Sequence, residues 1–357
     1  MASKEKPERT THSSSSSILL HGCCSSLLPP AYLAITTSSS VYAQQTSVGC
    51  IPKERNALLS FRAGITSDPQ NLLASWNGQD CCQWIGVKCS NSTGHVIKVD
   101  LRNKFFLDDL YGPSMDTYYL HRMRGKISSS LLALRHLKYL DLSGNHLGGV
   151  GVSMPRFLGS LRSLTYLNLS STDFNGPVPP QLGNLSRLQY LDIDNIWNDN
   201  DNKMHSKDIS WLARLRSLRF LDMSGVSLRT IGNWVQVVNM LSNLRVLRLR
   251  ECQLVFPYAS IARPNLTSLE KVDLKDNRYT LNPAYWFWHA GTIKHLDLTN
   301  NMIVGTLPDA VGITYFGLPK RSDTYKALHI EDKRRVVLGR ERDKKWLSNS
   351  NRNLLKL

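Results

Sequence analysis

The chain has few of the groups that chemistry or membranes require. No run reaches the roughly 18 consecutive apolar residues of a membrane-spanning helix, so no transmembrane span is expected within its 357 residues. Neither a catalytic H-R-D nor a D-F-G occurs, which excludes a protein kinase. The 7 cysteines include no C-x-x-C pair, so a zinc ribbon is not expected. The glycine string from Gly148 to Ser153 follows a strand-like segment but opens no helix of a βαβ unit, so it is no nucleotide loop. Asn198 to Lys207 is polar and partly acidic, yet lacks the turn glycine and terminal Glu of an EF-hand loop. The histidines stand apart, and His289 and His295 read as a core-edge and a ribbon-surface residue. No catalytic residue, cofactor or metal ligand is therefore expected. Acidic side chains are scarce as well: 28 Asp and Glu oppose 44 Lys and Arg, a net charge of +16. The excess is scattered and partly terminal, with twelve basic against five acidic residues from Lys320 to Leu357. Nucleic acid is not an expected partner, although a basic exterior suits loose association with acidic polymers.

What the chain does have is repetition. The segments LRHLKYLDLSGNHL, LRSLTYLNLSSTDF, LSRLQYLDIDNIW, LRSLRFLDMSGVSL, LSNLRVLRLRECQL, LTSLEKVDLKDNRY and GTIKHLDLTNNMI share the pattern L-x-x-L-x-L-x-x-N-x-L. Their anchors Leu140, Leu167, Leu191, Leu221, Leu247, Val272 and Leu296 lie 27, 24, 30, 26, 25 and 24 residues apart, the spacing of leucine-rich repeats. Alternation in L-K-Y-L-D-L-S points Leu140 and Leu142 to one face of a short strand and Tyr139, Asp141 and Ser143 to the other. One such strand cannot bury its apolar face alone, and stacking repeats supplies the missing cover. The pattern's Asn, present as Asn145, Asn277 and Asn301, turns inward to satisfy buried backbone groups. Thr172, Ile196, Val226 and Cys252 replace it elsewhere, and Cys252 reads as a buried filler. The expected fold class is an α/β solenoid: a right-handed leucine-rich-repeat horseshoe with a parallel β-ribbon on its concave face. Gly176 with Pro179 and Gly305 with Pro308 fall at one offset after the strand. They resemble the L-x-G-x-[IL]-P signature of the plant-type repeat, which implies a second short strand per turn.

Ahead of the array, Pro52 sits in the first turn of a helix in which Leu58, Phe61 and Ile65 share a face, and Asp68-Pro69 stops it. Cys50, Cys81, Cys82 and Cys89 read as a disulfide framework in an oxidising compartment. Bridged Cα atoms usually sit about 4.4–6.8 Å apart with defined Cβ directions, which disfavours Cys81–Cys82. Either Cys50–Cys81 with Cys82–Cys89 or the crossed pairing remains. The run E-R-x-A-L-L-x-F-[KR]-x-G-I-T-x-D-P, then L-x-S-W and D-C-C-x-W-x-G-V-x-C, resembles the N-terminal cap of plant extracellular leucine-rich-repeat proteins. That resemblance implies the uncrossed pairing and a disulfide-tied helical cap over the apolar end of the first repeat.

Four regions are expected. Residues 1–43 form a leader, with a mildly apolar stretch from Ile18 and a small-residue cleavage signal ending at Ala43. Residues 44–92 form the cap, and 93–312 about eight repeats, the first expanded by Arg102 to Leu131. Residues 313–357 are a basic tail without repeat grammar or capping cysteines, expected to be disordered or a partly helical makeshift cap, and consistent with a truncated reading frame.

The outward positions line up as Tyr139, Tyr166, Tyr190, Phe220, Val246, Lys271 and His295. Beside them run Asp141, Asn168, Asp192, Asp222, Arg248, Asp273 and Asp297. Aromatic contact area beside polar groups suits a protein or peptide ligand, and contact is expected at Tyr139, Tyr166, Tyr190, Phe220, Asp192, Asp222, Arg248 and Arg250. The aromatic rings also have a simpler use, packing along the sheet. Sequons at Asn91, Asn168, Asn184 and Asn265 predict glycans. From Cys50 to Gly312 the chain resembles the plant leucine-rich-repeat receptor-like proteins, a cell-surface class without a kinase. The resemblance implies a non-catalytic extracellular binding module in defence or developmental signalling, secreted to the apoplast or held at the plasma membrane within a longer receptor. It also implies a co-receptor kinase as partner. A secreted polygalacturonase-inhibitor-like protein shares the cap and repeat type but ends in a cysteine cap; a non-functional truncated product is the third reading.

Overall fold

A computed structural model describes residues 49–105, 115–148, 151–196, 203–255, 265–277, 280–281, 292–303, 327–331 and 335–339. The expected leader, residues 1–43, and His289 lie outside the described residues.

The cap opens with α1 (Pro52–Ala63), which buries Leu58 and Phe61 completely. The helix ends earlier than its apolar spacing suggests, because Gly64 follows it and Ile65 starts a short strand, β1 (Ile65–Ser67). Ile65 thus leaves the helical face it was assigned to. Asp68 then turns the chain by accepting the backbone N–H groups of Leu72 and Leu73 at 3.1 and 2.7 Å. Trp76 stacks on Trp84 at 5.4 Å between ring centroids, and its indole donates to the Ile85 carbonyl at 2.9 Å. Cys50 is bonded to Cys81 and Cys82 to Cys89, with Cα separations of 5.3 and 5.4 Å. The uncrossed pairing therefore frames the helix. β2 (Val87–Cys89) pairs antiparallel with β3 (Val96–Asp100), and β3 passes the ladder to the first repeat.

The insert of the first repeat carries a short helix, α2 (Met115–Leu120), and a two-residue strand, β4 (Arg124–Gly125), which pairs with β1. Buried Arg122 fastens this insert to the array by pairing with Asp173 and donating to the Asn145 and Ser171 carbonyls.

The repeats then supply β5 (Tyr139–Asp141), β6 (Tyr166–Asn168), β7 (Tyr190–Asp192) and β8 (Phe220–Asp222). After a five-residue helix, α3 (Trp234–Val238), come β9 (Val246–Arg248) and β10 (Lys271–Asp273). A two-residue strand, β11 (Thr280–Leu281), precedes β12 (His295–Asp297) and is parallel to β13 (Met302–Ile303). From β3 to β12 the ribbon is parallel and in strict register, with Val99, Leu140, Leu167, Leu191, Leu221, Leu247, Val272 and Leu296 side by side. Each of these anchors is at most 2% exposed, so they form one continuous dry column. Burying each side chain is worth roughly 1.5–3 kcal/mol, and only the neighbouring turn provides the cover. Among the described residues the second-strand ladder implied by the plant-type signature is present as β11–β13 and as single bridges such as Ser153 with Asn175 and His205 with Ser227.

Opposite the ribbon, single turns of 3₁₀-helix stack closely: a Cβ at Gly159 would strike the Gln181 carbonyl. Between the two layers, Asn277 donates to the Leu249 and Leu274 carbonyls at 2.7 and 2.8 Å and accepts the Cys252 amide at 2.9 Å. Asn145 and Asn301 make equivalent bonds, so the inward asparagine serves the backbone as its pattern position predicts. In the β7 repeat the inward residue is Asn195, 1% exposed and donating to the Phe174 carbonyl at 3.1 Å. Ile196, the residue the pattern named, is half-buried. Cys252 is fully buried, and burial raises its thiol pKa well above the ordinary value, as befits a filler.

Beyond the repeats, β14 (Ala327–Glu331) runs antiparallel to β12, and β15 (Arg335–Gly339) antiparallel to β14. This hairpin differs from the structureless or helical tail expected there. Among the described residues β12 is the final repeat strand, and its outer edge offers a row of N–H and C=O groups that β14 satisfies.

Candidate ligand-binding face

Period-two alternation sends the first and third residues of each three-residue strand to the open face of the ribbon, and strict register turns them into columns. In the first column the aromatic rings pack on one another. Tyr139, Tyr166, Tyr190 and Phe220 have successive centroids 4.0, 4.2 and 4.1 Å apart and planes within 8°, 12° and 7°. The stack is closed at both ends by cations: the Lys98 ammonium lies 4.2 Å from the Tyr139 centroid, and the Arg248 guanidinium 5.3 Å from that of Phe220. Ring faces are therefore covered by neighbours, and ring edges are what the half-buried column presents to solvent. Lys98 was not among the expected contacts, although carrying the column back onto β3 places it in register with Tyr139.

From β5 to β8 the second column is an internal anchor more than a contact surface. Asp141 is 0%, Asp222 5% and Asp192 8% exposed. One oxygen of each accepts the amide two residues on, Ser143 at 3.1 Å, Ser224 at 3.0 Å and Asp194 at 3.1 Å. The other Asp141 oxygen takes the hydroxyls of both Tyr139 and Tyr166, at 3.2 and 3.1 Å, while Tyr190 donates to Asp192 at 3.2 Å. Asp192 and Asp222, expected to meet a ligand, thus serve the strand turns and leave little surface of their own. Sequence showed the column but not how deep it lies.

Charge on this face changes along the array. Burial, with Asp222 and Asp194 nearby, pushes the Asp192 carboxyl well above its ordinary value. Burial and Asp222 raise Asp194 to about 7, and burial and Asp297 raise Asp273 to about 6. Opposite them stand exposed Arg248, 3.5 Å from Asp222, and half-buried Arg250, 3.8 Å from Asp273. Lys271 on β10 and Lys275 just beyond it follow in the next repeat, both half-buried. At the other end Asp100 behaves oppositely: burial works against its charged form, but hydrogen bonds from Arg102 and Lys98 prevail and lower its pKa.

Three of the four sequons are exposed, Asn91, Asn184 and Asn265, and the last two hold the same register six residues ahead of β7 and β10. Asn168 is 9% exposed, and its Oδ1 accepts both the amide and the hydroxyl of Ser170, at 2.9 and 2.8 Å. Its burial sets Asn168 apart from the three exposed sequons.

Among the described residues no helix is long and apolar enough to cross a membrane. The leucine-rich-repeat N-terminal domain model matches residues 51–90, and the leucine-rich-repeat region model residues 119–309. The receptor-like proteins EIX1 and EIX2 of Solanum lycopersicum are 37% and 36% identical to the chain, each over 74% of it. The chain spans about a quarter of their length, 25% in both cases. Its fold is similar to that of the leucine-rich-repeat ectodomain of the Arabidopsis receptor kinase HAESA, crystallised with an extended IDA peptide hormone. The TM-score is 0.55 at 24% identity, covering 72% of this chain and 39% of that one. With repeats, cap and relatives in agreement, the chain belongs to the plant leucine-rich-repeat receptor-like proteins.

Proposed function

We propose that this chain is a non-catalytic extracellular recognition module that takes a peptide or protein ligand along the open face of its ribbon and signals, in defence or development, through a co-receptor kinase. The observation that carries the reading is the edge-on aromatic row running into Arg248, Arg250, Lys271 and Lys275. Rings whose faces are already occupied cannot stack a sugar, but their edges and the adjoining cations suit an extended peptide with apolar and acidic side chains. Below about pH 6 the protonation of Asp194 and Asp273 leaves the cations less opposed, which favours an acidic segment over the β9–β10 end. Exposed Asn91, Asn184 and Asn265 would carry glycans, and the cystine-tied cap fits secretion to the apoplast, free or within a longer receptor at the plasma membrane.

The test is selection of a displayed random-peptide library on the glycosylated, oxidised full chain, followed by binding to variants. Enriched peptides should lose at least tenfold in affinity to Tyr190→Ala and to Arg248→Glu with Arg250→Glu. They should be unaffected by Arg187→Glu at an exposed site before β7. Peptides that bind the ribbon variants undiminished would overturn the reading.

A further inference from the structure

Where the cap meets the first repeat, three metal-ligating side chains arrive from separate parts of the chain: Glu54 from the first turn of α1, His95 from just before β3, and His136 from just before β5. Each offers one ligand atom, and the three atoms lie within 4.8 Å of one another. The Glu54 side chain is 4% exposed, with one oxygen held by the Val96 amide at 2.7 Å and the other 2.8 Å from His95 Nδ1. The His95 and His136 rings lie 3.8 Å apart between centroids. Among the described residues the other converging set is Cys50, Cys81 and Cys82, whose sulfurs are spent in the two cystines.

We propose that Glu54, His95 and His136 bind a divalent transition-metal ion of the zinc class, clasping the N-terminal cap to the array. One carboxylate and two imidazoles form a donor set suited to Zn²⁺, whereas Ca²⁺ and Mg²⁺ demand more oxygen ligands. Bonds of about 2.0–2.2 Å around a tetrahedral ion put donors roughly 3.4 Å apart, so donors within 4.8 Å of one another must close by at most about 1.4 Å, and the His136 ring must turn out of its stack on His95 to bring the ion into both ring planes. His136, the exposed member, has the freedom to make that turn. The Val96 amide keeps Glu54 oriented while its second oxygen meets the ion, which is the part outer-shell groups play in metal sites. A neutral His95 that donates its Nδ1–H to Glu54 would meet the ion through Nδ1 in its other tautomer, with the proton carried on the far ring nitrogen. A fourth position stays open to water. The proposal stands independently of the ligand reading, because the cluster and the aromatic row use different residues.

The test is titration of the full, oxidised, metal-stripped chain with Zn²⁺ at pH 7.5, using a competing chromophoric chelator, with Mg²⁺ as control. One equivalent should bind at micromolar affinity or tighter and raise the melting temperature by roughly 5 °C at saturation. His136→Ala should weaken binding at least tenfold with the metal-free melting temperature unchanged, and His136→Gln serves the same end if the alanine variant folds poorly. Cu²⁺ bound to the parent chain should show two coordinating nitrogens by electron paramagnetic resonance, and one in His136→Ala. Absence of binding at 100-fold excess over about 1 µM, or equal affinity in the parent and both His136 variants, would overturn the assignment.

Discussion

Replacing Tyr166 separates a self-packed aromatic row from a set of rings waiting for a ligand. Tyr166 is sandwiched between Tyr139 and Tyr190 at 4.0 and 4.2 Å, and its hydroxyl donates to buried Asp141 at 3.1 Å. Each ring pair is worth about 0.5–1.5 kcal/mol beyond area burial. The hydroxyl adds about 1 kcal/mol, below the roughly 1.5–3 kcal/mol usual for a bond to a charged group, because Asp141 keeps Tyr139 and Ser143 as donors. Tyr166→Ala should therefore cost about 3 kcal/mol and Tyr166→Phe about 1 kcal/mol. Urea unfolding of the oxidised chain, followed by far-ultraviolet circular dichroism, reads both from the shift in midpoint. A loss below about 0.5 kcal/mol in the alanine variant would refute the packing argument, since a cut that small means the rings give nothing to one another.

Two further outcomes follow from the same structure. The Cys50–Cys81 bridge closes a loop of 31 residues, so replacing both by Ser should destabilise the cap by about 3–4 kcal/mol by the chain-entropy relation. Hydrogen exchange should show α1 losing protection before β7 and β8, and uniform loss along the array would contradict this. The carboxyls of Asp192, Asp194 and Asp273 have folded pKa values above the ordinary 3.8, so the folded chain holds protons that the unfolded chain releases. Their contribution is present below about pH 4 and disappears as pH rises through 6 to 7. The unfolding midpoint should accordingly be higher at pH 5 than at pH 7.5, and Asp194→Asn should flatten the upper part of that profile. Asp100, with its lowered pKa, acts oppositely and only as pH falls below its ordinary value.

Much of the molecule is legible without coordinates because its long-range contacts are periodic. Leu140 and Leu167 lie 27 residues apart, yet the repeat makes their pairing a local rule applied again. The inward Asn145, Asn277 and Asn301 and the buried Cys252 are read the same way. Where the period falters, so does the reading. The repeat pattern points to Ile196 for the inward place that Asn195 holds, and apolar spacing carries the helix to Ile65 although Gly64 ends it. The hairpin of β14 and β15 follows no repeat at all and is set by the free edge of β12.

The solenoid, the register of its ribbon, the four cysteines of the cap and the residue types on the open face are all written in the linear chain. These follow from alternation and spacing, which act between near neighbours along the chain or between identical turns. Packing in three dimensions sets which of those residues are available. It closes the aromatic row with Lys98 and Arg248 and sinks Asp192 and Asp222 beneath the surface. It buries the sequon at Asn168 and brings Glu54 to His95 and His136 across the seam between cap and array. Depth and convergence depend on how much each neighbouring side chain covers, and no one-dimensional pattern records that.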